Sequence, residues 1–341
     1  MKRILYLGNQ LSKHGFTPTS VETLGERLRE YFDITQASSI KNQALRLLHM
    51  WWMVIRCRNY DYLLIDTYSS AAFNYAWTSA RFAQLFKLKY IPILHGGNLP
   101  NRAKKSPKRI QYFIKHAHQI VCPSAYLKVE LEAILGGDYT IIPNFLDIKN
   151  YPFEAKVPSK ETGINLFWLR SFHEIYNPYL AIKLLKALAE KGFEKLSLCM
   201  VGPDKDGSME RVKVFAEEQG VAQFLNMTGR LTKPEWIALS KQYNVFINTT
   251  NIDNTPVSVM EAMALGFPVI TTKVGGIPYL FEDGKEGLMV PPDNCEAFGT
   301  AIIHLATNPK EAETIALNAR KKAESWDWSE IKMRYMDILN N

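Results

Sequence analysis

Along the chain, short runs rich in β-branched and aromatic residues alternate with segments in which apolar residues recur every three or four positions. The first runs are RILYLG, FDITQA, YLLIDT, YIPILH, QIVCPS and YTIIPN. After a break the rhythm resumes with INLFWL, LSLCMVG, FLNMTG, NVFINTT, FPVITT and EGLMVPP. Strands that alternate with helices pair in parallel, so the pattern predicts two α/β halves, each a parallel sheet covered by helices on both faces. The break, NYPFEAKVPSKETG from Asn150 to Gly163, mixes breakers and charge with little periodicity and is expected to be an interdomain linker. Domains are thus expected over 1–150 and 151–325. The last stretch, WDWSEIKMRYMDILNN over 326–341, reads as a helix too apolar for solvent and is expected to cross back to the first domain. Two such halves joined by one linker are expected to enclose a cleft, with the carboxyl ends of both sheets facing it.

Composition changes this picture little. With 341 residues, 47% apolar and 22% charged, the chain has the make-up of an ordinary folded protein and the length for two domains. Cys57, Cys122, Cys199 and Cys295 form no CxxC pair, which argues against a disulfide framework or a zinc cage and favours a reducing compartment. The start, MKRILYLGNQ, is too short in apolar residues for a signal peptide, and no later run approaches transmembrane length, so a cytoplasmic location is expected.

Charge does change it. Residues 1–150 carry 20 Lys and Arg against 10 Asp and Glu, whereas the remainder carries 21 against 24. The basic field belongs to the first half, which is expected to meet an anionic partner or surface. Within it, NQALRLLHMWWMVIRCRNY is a helix pattern with a wholly apolar centre, Met50 to Ile55, and Arg46, Arg56 and Arg58 around it. A second strip, NRAKKSPKRIQYFIK, adds six Lys or Arg between Arg102 and Lys115. The Trp helix either packs on its sheet or lies in the interface of an anionic inner membrane face, as a peripheral contact that would serve a lipid-linked acceptor. Neither strip belongs to a groove-reading or base-stacking motif, so nucleic acid is not an expected partner.

Candidate chemistry sits where strands end. After RILYLG, Thr19-x-x-Glu22 is a capping box opening a helix just past His14-Gly15; the glycine marks either an anion site at that N-terminus or an ordinary loop. LHGGN places His95 and two glycines at another strand end, where the imidazole serves either structure or a ligand. Arg170 follows INLFWL and is either a surface cation or a forked donor to a diphosphate. In DNTPVSVMEAMA, Thr255 before Pro256 reads as N-cap plus first helical position, so a helix N-terminus with free N–H groups follows NVFINTT. Asp253 lies in the loop before it and Glu261 about a turn and a half inside. Glu261 would suit a pair of sugar hydroxyls beside a phosphate; compensation of the helix dipole, or a capping box with Ser258, is the alternative. Asp204-Lys205-Asp206 is a DxD but reads as a solvated turn, and His116 and His118 cannot share a helix face, so no metal site is expected.

The stretch DNTPVSVMEAMALGFPVITTKVGGIPYLFEDGKEGLMVPP resembles the donor-site signature of retaining glycosyltransferases of family 4 (glycosyl transferases group 1), whose GT-B fold is two facing Rossmann-like domains. LHGGN, IVCPSAYLKVEL, IIPNFLDI, FWLRS and WDWSEI share in the resemblance. The resemblance implies that Asp253 holds the transferred sugar, Glu261 the nucleotide ribose and Arg170 the diphosphate. It further implies that the backbone at Thr255, Pro256, Val257 and Ser258 cradles the diphosphate, that Gly15 is the phosphate-loop glycine and that His95 contacts the donor sugar. Two positions depart from the family pattern: the first acid is Asp253 where Glu is usual, and Tyr176 stands where the family has a second cation.

Taken as a whole, the resemblance implies a retaining transferase that takes a sugar from a nucleotide diphosphate sugar to an acceptor hydroxyl of a glycan or lipid-linked substrate. Neither a cofactor nor a metal is implied, and closure of the two domains would exclude water. Asp253 and Tyr176 leave open a GT-B protein that binds nucleotide sugar without turnover; a GT-B sugar-nucleotide epimerase, which needs no acceptor, is a second alternative.

Overall fold

The computed structural model of the chain describes residues 1–16 and 18–340. Every strand run read from the sequence forms a strand. The first sheet contains β1 (Arg3–Leu7), β2 (Asp33–Ala37), β3 (Tyr62–Thr67), β4 (Lys89–Leu94), β5 (Val121–Cys122) and β6 (Thr140–Ile141), in the order β2-β1-β3-β4-β5-β6. The second contains β7 (Ile164–Leu169), β8 (Leu196–Val201), β9 (Leu225–Gly229), β10 (Val245–Asn248), β11 (Val269–Thr272) and β12 (Leu288–Val290), in the order β12-β11-β10-β7-β8-β9. All pairings are parallel. In both sheets the chain reverses direction across the sheet once, which leaves a topological switch point at the carboxyl ends of the central strands.

Helices α1 (Ser20–Leu28), α2 (Gln43–Arg56), α3 (Phe73–Leu85), α4 (Leu99–Lys105), α5 (Pro107–Lys115) and α6 (Ala125–Leu135) connect the first sheet. Helices α7 (Pro178–Glu190), α8 (Ser208–Glu218), α9 (Lys233–Ser240), α10 (Val257–Leu265), α11 (Cys295–Thr307) and α12 (Pro309–Glu324) serve the second, and α13 (Trp328–Asn340) ends the chain. Strand β3 is buried at every position, as a parallel strand covered on both faces must be. Met50, Val54, Ala76, Ala80, Phe113 and Leu127 form one continuous cluster over one side of that sheet, so α2, α3, α5 and α6 share that face.

Two compact units result: Met1–Pro143 with Ser329–Asn341, and Asn144–Trp328. The breaker-rich stretch 150–163, expected as a linker, packs inside the second unit instead. Lys156 N–H donates to Gly266 O at 2.9 Å and Tyr151 is buried, so Pro and charge in this stretch serve an extended path across packed helices. The unit boundary lies earlier, at Pro143, in the short IIPN segment. Helix α13 belongs to the first unit, where Tyr335 is buried and Arg334 Nη1 donates to Ile141 O at 3.3 Å.

Helix α2 divides its apolar residues between two faces. Met50, Met53 and Val54 face the core, and Trp51 Nε1 donates to Thr78 Oγ1 at 2.9 Å, which is the packing alternative read from sequence; Trp52 and Ile55 point outward. Among the described residues no helix is long and apolar enough to cross a membrane.

Close backbone packing beside β7 and β8 has a testable consequence. Gly202, with φ +154°, lies so near Arg170 that a Cβ there would meet Arg170 O at 1.8 Å. Gly202→Ala should therefore cost about 2 kcal/mol of stability, read as a lower thermal midpoint. An unchanged midpoint would mean that the strand ends can separate at no cost.

Candidate functional site

In the second unit the functional side chains gather where β7 and β10 end. Arg170 is the first residue after β7, and Asp253 lies in the loop between β10 and α10. The two form an ion pair, Arg170 Nη2 to Asp253 Oδ2, with only 12% and 14% of the side chains exposed. Arg170 Nη1 also reaches Ser258 Oγ at 3.4 Å, and the guanidinium lies against Tyr176, 4.0 Å from the ring centroid. Asp253 Oδ1 accepts from the N–H of Asn254 at 2.9 Å, which turns the loop toward the helix. Gly275 and Gly276 press on this loop: Gly276 N–H donates to Asp253 O at 3.0 Å, and a Cβ at either glycine would lie 2.0 Å from a loop carbonyl.

Pro256 is the N-cap of α10 and Val257 its first helical residue, one position later than the Thr-Pro reading placed the start. Pro256 keeps an extended ψ of 107°, and the Thr255 hydroxyl does not cap the helix; it is buried without a partner. The alternative capping box of Glu261 with Ser258 is not formed either, because the Ser258 hydroxyl is turned to Arg170. Helix α10 thus has no side-chain cap and no acid in its first turn, and its leading N–H groups keep the positive end of the helix dipole uncompensated. Arg170 Nε is likewise buried without a partner. Two unmet donors beside an uncapped helix start make a site suited to an anion with several oxygens.

Glu261 sits deeper in α10 and is 7% exposed. Its Oε1 accepts from Tyr151 Oη at 2.8 Å and meets Lys233 Nζ at 2.7 Å, while Lys233 Nζ also donates to Tyr151 Oη at 2.6 Å. Burial first, and then the Glu261 carboxylate, hold the Tyr151 phenol far above the usual range, so it remains a donor. Glu261 is therefore neither a plain dipole compensator nor unattended: it is a carboxylate oriented by a phenol and a half-exposed ammonium. Tyr176 enters the site through its ring, by stacking on Arg170, and not as a replacement for a cation. In the DxD stretch, Asp204 Oδ1 accepts from the N–H of Gly207 at 2.9 Å, and Asp206 Oδ1 from the N–H of Ser208 at 3.0 Å, an arrangement of turn and helix start.

The first unit has its own polar centre, built on Asp66 at the end of β3. Asp66 is fully buried; Oδ1 accepts from Tyr6 Oη at 2.8 Å and lies 2.9 Å from His95 Nε2, and Oδ2 accepts from the N–H of Val21 at 3.0 Å. His95 also stacks on Tyr68, with centroids 5.4 Å apart. Burial, and then the Asp66 charge, push the phenols of Tyr6 and Tyr75 well up. The Thr19-Glu22 capping box forms, and Glu22 Oε1 additionally accepts from the N–H of Ser12 at 3.2 Å. The N-terminus of α1 is thus compensated by the protein's own carboxylates. Gly15 does not open that helix: with φ +83° it caps a 3-10 turn over Ser12–His14, five residues before α1.

Asp66, Tyr151 and Lys233 are absent from the candidates that the sequence offers. Asp66 has a signal there, as the one acid in an otherwise apolar strand run. Tyr151 and Lys233 have none, since they meet Glu261 only through the fold.

Two Rossmann-like parallel sheets in two compact units, the second with an uncapped helix start beside an arginine, define the GT-B class of α/β protein. The chain belongs to the glycosyltransferases: residues 152–322 match the family described as Glycosyl transferases group 1, and residues 2–150 match Glycosyltransferase Family 4. Among its relatives, the putative colanic acid biosynthesis glycosyltransferase WcaL of Salmonella typhimurium is 25% identical over 170 residues, 47% of this chain and 41% of that protein. The chain spans about half the length of such curated relatives, from 41% to 53%. The sucrose-phosphate synthase of Thermosynechococcus elongatus shares the fold with a TM-score of 0.80 at 13% identity, covering 100% of this chain and 98% of the other. HepE from Anabaena, solved in complex with UDP-glucose, superimposes with a TM-score of 0.75 at 17% identity over 100% of both chains.

Replacing Asp66 by Asn keeps the shape but puts an amide donor where three donors converge. Asp66→Asn should lower stability by about 2 kcal/mol, measured by denaturant titration. A neutral result would mean that the cluster is not held by the carboxylate.

Proposed function

We propose that the protein is a retaining glycosyltransferase that moves a hexosyl group from a nucleotide diphosphate sugar to an acceptor hydroxyl in the assembly of a cell-surface polysaccharide or glycolipid. The observation that carries this reading is the meeting of Arg170 and Asp253 at the uncapped start of α10, with Arg170 Nε and Thr255 Oγ1 buried and unmet and with Glu261 oriented by Tyr151 and Lys233 further along the same helix. The relative WcaL, named for colanic acid biosynthesis, supports the polysaccharide role, and the UDP-glucose bound to HepE supports a nucleotide sugar as donor.

In this reading the diphosphate takes the place of the Asp253 carboxylate on Arg170 and accepts from the backbone at Thr255, Val257 and Ser258, with Pro256 shaping the turn. Asp253, once released, accepts from a hydroxyl of the sugar, as its position in the motif implies, and Glu261 accepts from the ribose hydroxyls. The bond from the anomeric carbon to the phosphate oxygen breaks while the acceptor oxygen bonds on the same face, and the departing diphosphate takes the acceptor proton. Negative charge growing on that diphosphate is met by Arg170 and by fixed N–H dipoles. No protein nucleophile and no metal is required by this scheme.

Incubation with a panel of nucleotide sugars and a glycan or lipid-linked acceptor should yield a product that keeps the donor's anomeric configuration, as read by NMR coupling constants. Inverted product would refute the retaining mechanism, and donor turnover without an acceptor would point to an epimerase. Glu261→Ala should weaken the nucleoside diphosphate itself by about tenfold or more, the worth of one charge-assisted hydrogen bond, in a calorimetric titration. Equal affinity for wild type and variant would remove Glu261 from the ribose.

A further inference from the structure

Helix α2 leaves an apolar stripe that no described part of the chain covers. Leu45, Leu48, Trp52 and Ile55 follow one another at spacings of three and four, so they line one face of the helix, and they are 56%, 54%, 50% and 38% exposed. The opposite face, with Met50, Met53 and Val54, is committed to the core. Side chains of this size side by side in water are unfavourable unless something is meant to cover them.

The charge around the stripe identifies the covering surface. From Ile34 to Tyr60 the sequence contains no acid, but it contains Lys41, Arg46, Arg56 and Arg58. Arg56 lies over the Trp52 ring, 5.2 Å from its centroid, so the indole and a cation form one amphipathic group at the stripe's edge. Helix α3 packs against both α2 and α5, and α5 continues the basic strip with Lys108, Arg109 and Lys115. The N-terminus of α2 also starts from the loop after β2, at the carboxyl edge of the sheet that carries Asp66 and His95. There Arg46 Nη1 donates to Ile40 O at 2.9 Å and His14 Nε2 contacts Ser39 O at 2.9 Å.

We infer that this face of α2 docks on an anionic lipid bilayer, with Leu45, Leu48, Trp52 and Ile55 entering the headgroup boundary and the flanking Lys and Arg held by lipid phosphates. A second copy of the chain, equally basic here, would be repelled, and an acidic soluble partner would leave the four apolar side chains unexplained. The inference rests on the proposed transfer reaction only for its purpose, which is to bring a lipid-linked acceptor to the edge of the first sheet.

The test is sedimentation of the full chain with vesicles of phosphatidylglycerol and phosphatidylcholine, and with vesicles of phosphatidylcholine alone. Wild type should partition to the anionic vesicles and leave them as salt is raised. The double variant Leu48→Glu with Trp52→Glu should partition at least about tenfold less. Because both positions are exposed, the variant should keep the wild-type thermal midpoint and its affinity for UDP, GDP or ADP, whichever the wild type binds. Equal recovery of wild type on neutral and anionic vesicles, or equal recovery of the variant and wild type, would overturn the inference. Nucleotide binding without vesicle binding would leave the transferase reading standing alone; vesicle binding without any nucleotide binding would do the reverse.

Discussion

A guanidinium held among packed strand ends must be met by negative charge, and in this protein Arg170 meets Asp253. Removing one member of so enclosed a pair would strand the other, at a typical cost of about 3–5 kcal/mol. The pair therefore fixes much around it. It ties the end of β7 to the loop before α10, Tyr176 stacks on its outer face, and Gly275 and Gly276 are small enough for the next loop to close on Asp253. An ion pair with an unmet Nε beside an uncapped helix is also incomplete, since a multivalent anion could satisfy more donors than one carboxylate does. In the proposed reaction, the same contact that organises the free protein is the one that the diphosphate replaces.

The two units treat the same local motif in opposite ways. In both, a strand feeds a helix whose N-terminus lies at the carboxyl edge of a parallel sheet. In the first unit, the N–H of Val21 is taken by Asp66 and that of Thr19 by Glu22, so the helix start is already satisfied from within and steadies a buried carboxylate that orients His95. In the second, α10 begins at Pro256 with neither cap nor acid, and its nearest carboxylate, Asp253, is turned to Arg170. One helix start commits its dipole to structure; the other leaves it uncompensated.

Much of this is legible in the sequence because it is local. Period-two and period-3.6 patterns locate all the strands, and the DNTPVSVMEAMA stretch places Asp253, the helix start and Glu261 on one segment. Contacts that join distant segments are not legible. Lys233 and Tyr151 lie 28 and 110 residues from Glu261 in the chain, and nothing in their surroundings marks them as its partners. The stretch 150–163 reads as a linker yet is packed, because Pro, Gly and charge describe an irregular path equally well in either setting. Whether the N-terminus of α1 is free is not legible at Gly15 either, because a glycine near a helix start says nothing of whether side-chain carboxylates, here Glu22 and Asp66, already satisfy that N-terminus. The Trp-rich segment of α2 needs the fold to divide Met50, Met53 and Val54 from Leu48, Trp52 and Ile55.

The exchange of Asp253 for a diphosphate at Arg170 is tested most directly by calorimetric titration of Asp253→Ala and wild type with the nucleoside diphosphate that the wild type binds. If the two anions compete for Arg170, the variant, with its guanidinium released, binds the nucleoside diphosphate at least as tightly as wild type. A variant that has lost nucleoside diphosphate binding while remaining folded would contradict the account, because Asp253 would then be part of the diphosphate site and not its occupant in the free protein.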